Sequence, residues 1–148
     1  MSLDIDDLKK RFLKVDFDEQ TFSVTAAQLV DYAKTCGELA PRYTDATHPD
    51  FQALPTFPSS FNAGRRLPEG FPNLPGMGMD AGKAVSPKRP IRPDTALTGR
   101  SHIHDIYAKS GRSGRMVFIV LRMDLFDPSG AHLASADTSM VIRERPDA

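Results

Sequence analysis

The chain has 148 residues, 40% of them hydrophobic, which is normal for one soluble globular domain with its own core. Lysine plus arginine equals aspartate plus glutamate at 19 each, so no global field favours nucleic acid or an anionic membrane. The longest apolar run, residues 116–121, is far short of the ~20 residues a bilayer-spanning helix needs, so no membrane span is expected.

A single cysteine, Cys36, excludes an intramolecular disulfide and fits a reducing, cytoplasmic setting. The acidic start, with Asp4, Asp6 and Asp7, is unlike a secretory signal. Ile5, Leu8, Phe12 and Leu13 recur at helical spacing and predict a short surface helix over 4–13. Residues 17–24 alternate as a first strand, with Phe22 and Val24 on one face. A helix over 25–36 is the best signalled element. Thr25 and Gln28 make a capping box, and Ala26, Leu29, Val30, Ala33 and Cys36 form one apolar face. Gly37 suits the left-handed residue that closes the last turn. Pro41 cannot continue a helix, so an irregular segment is expected there.

Residues 58–75 are rich in Pro and Gly, with a short helix expected from Ser59 or Ser60 through Phe61, Ala63 and Gly64. From Met77 the pattern is β. A strand over 78–85 precedes a basic, Pro-interrupted loop. Strands over 95–109, 116–126 and 131–143 follow, separated by the turn signals Ser110-Gly111-Arg112-Ser113-Gly114 and Asp127-Pro128-Ser129-Gly130. Consecutive Val117, Phe118, Ile119 and Val120 suggest burial on both faces at that point. Helices first and a meander last give an α+β class in a single domain over 1–148, and the meander is expected to be one antiparallel sheet.

Three constellations invite chemistry. His102 and His104, two apart on a strand, project to one face and suggest a metal pair completed by Asp80 or His132. No spacing requires a metal, and two half-exposed histidines on a strand face explain the pattern equally, so no metal is expected. Gly76-x-Gly78-x-x-Ala81 matches a loosened dinucleotide fingerprint, but no strand leads into it and no helix leaves it. Ser101, His102 and Asp105 lack the turn that would expose a nucleophile.

Residues 22–57 carry a resemblance. The frame Tyr32, Cys36, Gly37, Glu38, Leu39, Ala40, Pro41, Arg42, Tyr43 is similar to the aromatic–small–Gly-Asp-x-Asn-Pro-x-His motif of the MaoC-like hydratase/dehydratase family. Leu54-Pro55-Thr56-Phe57 resembles the Ala-Pro-Pro-Thr-Phe of that family's N-terminal half-domain type. The likeness runs from about Phe17 to Glu144. It implies a hot-dog fold, an antiparallel sheet wrapped around a helix. It also implies an (R)-specific 2-enoyl-thioester hydratase or 3-hydroxyacyl dehydratase, with coenzyme A as part of the substrate and no other cofactor.

The motif is degenerate here. The family's catalytic Asp falls on Glu38 and its His on Tyr43. Imidazole supplies a base near working pH and a phenol does not. Glutamate is one methylene longer than aspartate, and a displacement of ~1 Å can cost about a hundredfold. The resemblance therefore implies a non-catalytic, substrate-channel half that pairs with a catalytic MaoC-like subunit. The alternatives are a self-sufficient homodimeric hydratase or thioesterase, and a non-enzymatic acyl-thioester-binding protein. Leu54, Pro55, Thr56 and Phe57 either line an acyl channel or pack in the core. Lys88, Arg89 and Arg92, with Lys83 and Arg100, either hold coenzyme A phosphates or form a solvated loop. Arg65 and Arg66 are alternative phosphate ligands. Assembly through the sheet edge, as homodimer or heterodimer, is expected because an unpaired edge invites pairing.

Overall fold

In the computed structural model, which describes residues 2–144, helix α1 (Ile5–Phe12) opens the fold. The Asp4 carboxylate accepts from the Asp7 N–H and caps it, and Leu8 and Phe12 are its buried side. Strand β1 (Asp16–Ser23) leads to α2 (Ala26–Thr35). The capping box forms as expected: Gln28 N donates to Thr25 Oγ1 at 3.2 Å and Thr25 N to Gln28 Oε1 at 2.9 Å. Gly37, at φ 77°, closes the helix, and Glu38 N reaches back to the Ala33 carbonyl at 3.0 Å.

Two local expectations are corrected. The segment at Pro41 is a single helical turn, α3 (Pro41–Thr44), because proline starts a helix at a position whose N–H would be unpaired anyway. The short helix sought around Ser59–Gly64 is a 3-10 turn one step earlier, Phe57–Ser60. Ser60 Oγ donates back to the Phe57 carbonyl at 2.7 Å, so it ends this turn and caps nothing beyond it.

β2 (Gly78–Pro87), β3 (Ala96–Gly111), β4 (Gly114–Phe126) and β5 (His132–Arg143) complete one five-stranded antiparallel sheet in the order β1-β3-β4-β5-β2. The three runs of the expected meander are thus neighbours in one sheet, β3 with β4 and β4 with β5. The Asp127 carboxylate holds the second turn by accepting from Ser129 N, Ser129 Oγ and Ala131 N. No helix among the described residues is long and apolar enough to cross a membrane.

The register sorts side chains onto two faces. Leu97, Ser101, Ile103, Ile106, Val117, Ile119, Met123, Leu125, Met140 and Ile142 point to one face and are buried. The expected double burial at 117–120 holds for this face only. Phe118 and Val120 lie on the other, half-buried, where Phe118 stacks on Tyr107 with ring centroids 4.9 Å apart.

The buried face carries two separate clusters. At one end, Leu29 of α2 packs with Val24, Phe51 and Phe57 over Leu97, Leu125 and Ala134. At the other, Leu8 and Phe12 of α1 pack over Ile103, Ile106, Val117, Ile119 and Ile142. The middle of the face is met by the 3-10 turn, which contacts β5 and β2. The helix wrapped by the sheet is therefore short. Close to this middle a side chain at Gly99 has no room: a Cβ there would sit 2.7 Å from Met123 Sδ and 2.9 Å from Phe22 Cε2. The two ends of the chain meet at Glu144, whose carboxylate accepts from Leu3 N at 2.8 Å and from Arg115 of β4 at 3.3 Å.

Candidate functional site

The residues of the degenerate motif do not gather around a cavity. Glu38 Oε1 accepts from the N–H groups of Leu39 and Ala40, both at 2.9 Å, so its carboxylate organises its own loop ahead of α3. Tyr43 sits half-buried on α3. Neither lines any of the three principal cavities. Tyr32, the motif's leading aromatic, acts as a tie. Its hydroxyl donates to the carbonyl and Oγ1 of Thr56, and its ring meets Phe57 edge-on at 5.0 Å.

That tie fixes the 54–57 segment and divides its residues. Thr56 is engaged by Tyr32, and Phe57 is core, 6% exposed. Leu54 and Pro55 instead line a cavity of about 200 Å³ together with Lys88, Arg89 and Ile91. The structure thus joins two sequence-predicted groups that are distant in the chain. The Lys88 and Arg89 N–H groups both bond the Leu133 carbonyl, which anchors the basic loop against β5. Arg92 is occupied elsewhere, with Asp50 at 2.9 Å and the Phe51 carbonyl at 2.9 Å. Its guanidinium, by hydrogen bonding, holds the Asp50 carboxyl below its ordinary range.

The largest of these three cavities, about 470 Å³, occupies the gap between the two core clusters. Phe17, Phe61, Leu121, Met123 and Met140 give it apolar walls. The exposed Asp80, Lys83, Arg65 and Arg66 stand at its border. Lys83 Nζ donates to the Ser59 carbonyl at 3.1 Å and ties β2 to the 3-10 turn. Pro58 lines both this cavity and the smaller one, so the two adjoin across that turn. Sequence reasoning named Arg65, Arg66 and Lys83 but missed the walls. The signal was the strand alternation, which puts Ser101, Met123, Ala136 and Met140 on one face once the register is known.

The expected histidine pair lies on the opposite face. His102 and His104 have ring centroids 6.0 Å apart, and His104 is the unpaired residue inside the register shift between Ile103 and Asp105. Among the described residues no group of three or more His, Cys, Asp or Glu side chains is placed to hold a metal ion. Asp124 stands between His102 at 3.9 Å and His132 at 3.3 Å, and Ser135 Oγ donates to it at 2.6 Å. The trio is no nucleophilic triad. Ser135 Oγ commits its proton to the Asp124 carboxylate at 2.6 Å, while His132 Nε2 lies 3.1 Å from both Ser135 Oγ and the Ala134 carbonyl.

Burial pushes the His102 imidazole below its ordinary value of 6.5, against the pull of Asp124 and Asp16 and with some help from His104 and Arg122. Between the folded and ordinary values the unfolded chain binds more protons than the folded one, so stability rises with pH there. This contribution is fully present above 6.5 and is lost as pH falls through the lowered folded value. His102→Asn is expected to flatten the urea midpoint's dependence on pH as pH falls below 6.5 and through the lowered folded value. Parallel curves for the two proteins would count against a buried neutral His102.

The profile of the FAS1-like, dehydratase domain region family matches residues 11–136. No curated protein matches the chain by sequence. Among solved structures it is similar to a MaoC-like dehydratase from Phytophthora capsici, with 19% identity and a TM-score of 0.70 over 99% of this chain and 52% of that one. It is similar to the ChsH1–ChsH2 complex from Mycobacterium tuberculosis, with 14% identity, a TM-score of 0.64 and coverage of 97% and 90%. It is also similar to the R-hydratase PhaJ1 from Pseudomonas aeruginosa, with 15% identity, a TM-score of 0.55 and coverage of 89% and 84%. At these identities the likeness is one of fold, the α+β hot dog expected from the motif frame. The chain spans about half the length of the Phytophthora protein.

Proposed function

The chain belongs to the FAS1-like dehydratase domain region family, and from that premise we propose that it is the acyl-holding, non-catalytic half of an (R)-specific 2-enoyl-thioester hydratase or 3-hydroxyacyl dehydratase. The observation that carries this reading is a cavity of about 470 Å³ with apolar walls, in a chain whose motif carboxylate is spent on its own loop. A cavity of that size, with apolar walls and polar and charged side chains around them, suits a small amphiphilic ligand. The acyl tail takes the larger cavity. The phosphates of the thioester carrier take the cations nearby, Arg65 and Arg66 on one side of Pro58 or Lys88 and Arg89 on the other. Coenzyme A enters as part of the substrate, with no further cofactor, in a cytoplasmic setting.

Catalysis then falls to a second MaoC-like subunit bearing Asp and His. Two features support such a pairing. The chain aligns with half of the Phytophthora protein and with a chain of a two-component complex. Strand β2 is an edge strand, exposed almost throughout, with Met77 76% and Met79 46% exposed on it or beside it. An open edge of this kind offers unpaired backbone groups to another strand.

The test is calorimetric titration of the chain with decenoyl-CoA. Ala136 lies on the cavity wall, so Ala136→Phe is expected to weaken binding at least about tenfold by occupying the tail's space. Arg65→Glu with Arg66→Glu changes only exposed residues and is expected to weaken binding without altering the melting temperature. Decenoyl-CoA that fails to bind the parent chain, or binds all three proteins alike, would remove the proposal's basis.

A further inference from the structure

We propose that the acyl group held in the large cavity carries an oxygen function on its tail, a hydroxyl or a ketone, and that Ser101 Oγ is its anchor. The inference rests on the acyl reading above and adds a substrate class and a specificity-determining residue to it.

Ser101 stands in the middle of β3, between β1 and β4, and is 2% exposed. Its backbone is engaged in ladders on both sides, with Asp18 of β1 and Met123 of β4 as register partners. The side chain belongs to the buried face and lines the large cavity. Phe17, Leu121, Met123 and Met140 share the wall with it, and the polar side chains that also line the cavity, Thr138 and Asn62 among them, make no hydrogen bond to Ser101 Oγ. Among the described residues Ser101 Oγ is the one buried side-chain nitrogen or oxygen without a partner.

The other buried serine of the described residues is satisfied. Ser135, 6% exposed, donates to Asp124, and Ser60 and Thr44 donate to the Phe57 and Ala40 carbonyls. Ser101 is the exception. Alanine would occupy the same position with almost the same volume and without the cost of an unmade buried hydrogen bond. A serine here therefore matches a partner that arrives with the ligand.

Such a hydroxyl discriminates between tails. A water in a cavity of this size can satisfy it when no ligand is bound. A plain alkyl tail displaces that water and leaves the hydroxyl unpaired, while an oxygenated tail replaces the lost bond. A ketone oxygen accepts from Ser101, and a tail hydroxyl either donates or accepts. Sites built to bond a substrate oxygen reject the analogue lacking it, because the buried group is then unsatisfied.

The experiment is titration of the purified chain with decanoyl-CoA and with a series of hydroxydecanoyl- and oxodecanoyl-CoA thioesters whose oxygen is moved carbon by carbon along the tail. The expected result is one oxygen position that binds about tenfold tighter than decanoyl-CoA, the size of one net hydrogen bond. In Ser101→Ala that preference falls to about onefold, decanoyl-CoA binds at least as well as before, and the melting temperature is unchanged or higher. A parent chain that binds all the probes equally, or a preference that persists in Ser101→Ala, would overturn the inference while leaving the acyl cavity standing. If none of the thioesters binds, the acyl reading itself fails and this inference goes with it.

Discussion

The purified chain is expected to hydrate a 2-enoyl-CoA about 10²–10⁴ times more slowly than the same chain paired with a MaoC-like subunit that carries an intact Asp and His. Water addition needs a base and a proton donor around one water, and an oxyanion site for the thioester carbonyl. The motif loop supplies neither member of that pair. Glu38 is held by the Leu39 and Ala40 N–H groups, and Tyr43 lies on α3 outside the cavities. Freeing Glu38 would strip the loop of two hydrogen bonds, so Glu38→Gln should lower stability slightly and leave the residual rate unchanged. The assay is the decay of enoyl-thioester absorbance with and without the partner. Full turnover by the chain alone, abolished in Glu38→Gln, would establish the self-sufficient enzyme instead. Turnover that survives both Glu38→Gln and Tyr43→Phe would shift attention to His102 and His104, on the other face of the sheet.

Arg115→Met is expected to lower the unfolding free energy by about 2–4 kcal/mol, slightly under the usual cost of breaking a buried ion pair because Arg115 is partly exposed. The Glu144 side chain is 7% exposed and that of Arg115 is 31% exposed. Arg115 Nη1 reaches both Glu144 oxygens at 3.3 Å and the Leu3 carbonyl at 3.0 Å. Without the guanidinium the buried carboxylate keeps only the Leu3 N–H among these partners. The loss arises from an uncompensated charge rather than from a missing attraction, so adding Glu144→Leu should recover much of it. Urea titration of the two single variants and the double variant reads this directly. A double variant no more stable than Arg115→Met would show that the pair contributes net attraction and that this account is wrong.

The structure also shows where reading by residue type stops. Thr25, Gln28, Gly37 and the Asp127–Gly130 turn behaved as their types dictate, because capping and turn chemistry act within a few residues. Pro41 did not follow the simplest rule, since the ring that stops one helix is also suited to start the next. Lys88, Arg89 and Arg92 looked alike along the chain. Two came to border a cavity with Leu54 and Pro55, while the third was taken by Asp50. His102 and His104 looked like a ligand pair, but His104 is the bulged residue of the register shift between Ile103 and Asp105, and among the described residues no group of three or more His, Cys, Asp or Glu is placed to hold a metal ion.

From the sequence by itself came the α+β class, the three strands of the meander, the family frame and the loss of its Asp and His at Glu38 and Tyr43. These follow from local periodicity, turn residues and the identity of single side chains, all of which act at short range along the chain. The tertiary structure alone decided that the helices cover the two ends of one sheet face and leave a cavity between them. It also decided that Glu38 turns its carboxylate onto its own loop and that Ser101, of all the buried hydroxyls, has no partner. The physical reason is register. Which residues of β1, β3, β4 and β5 share a face depends on pairing and on each shift in it, and a shift of one residue exchanges the core face for the solvent face.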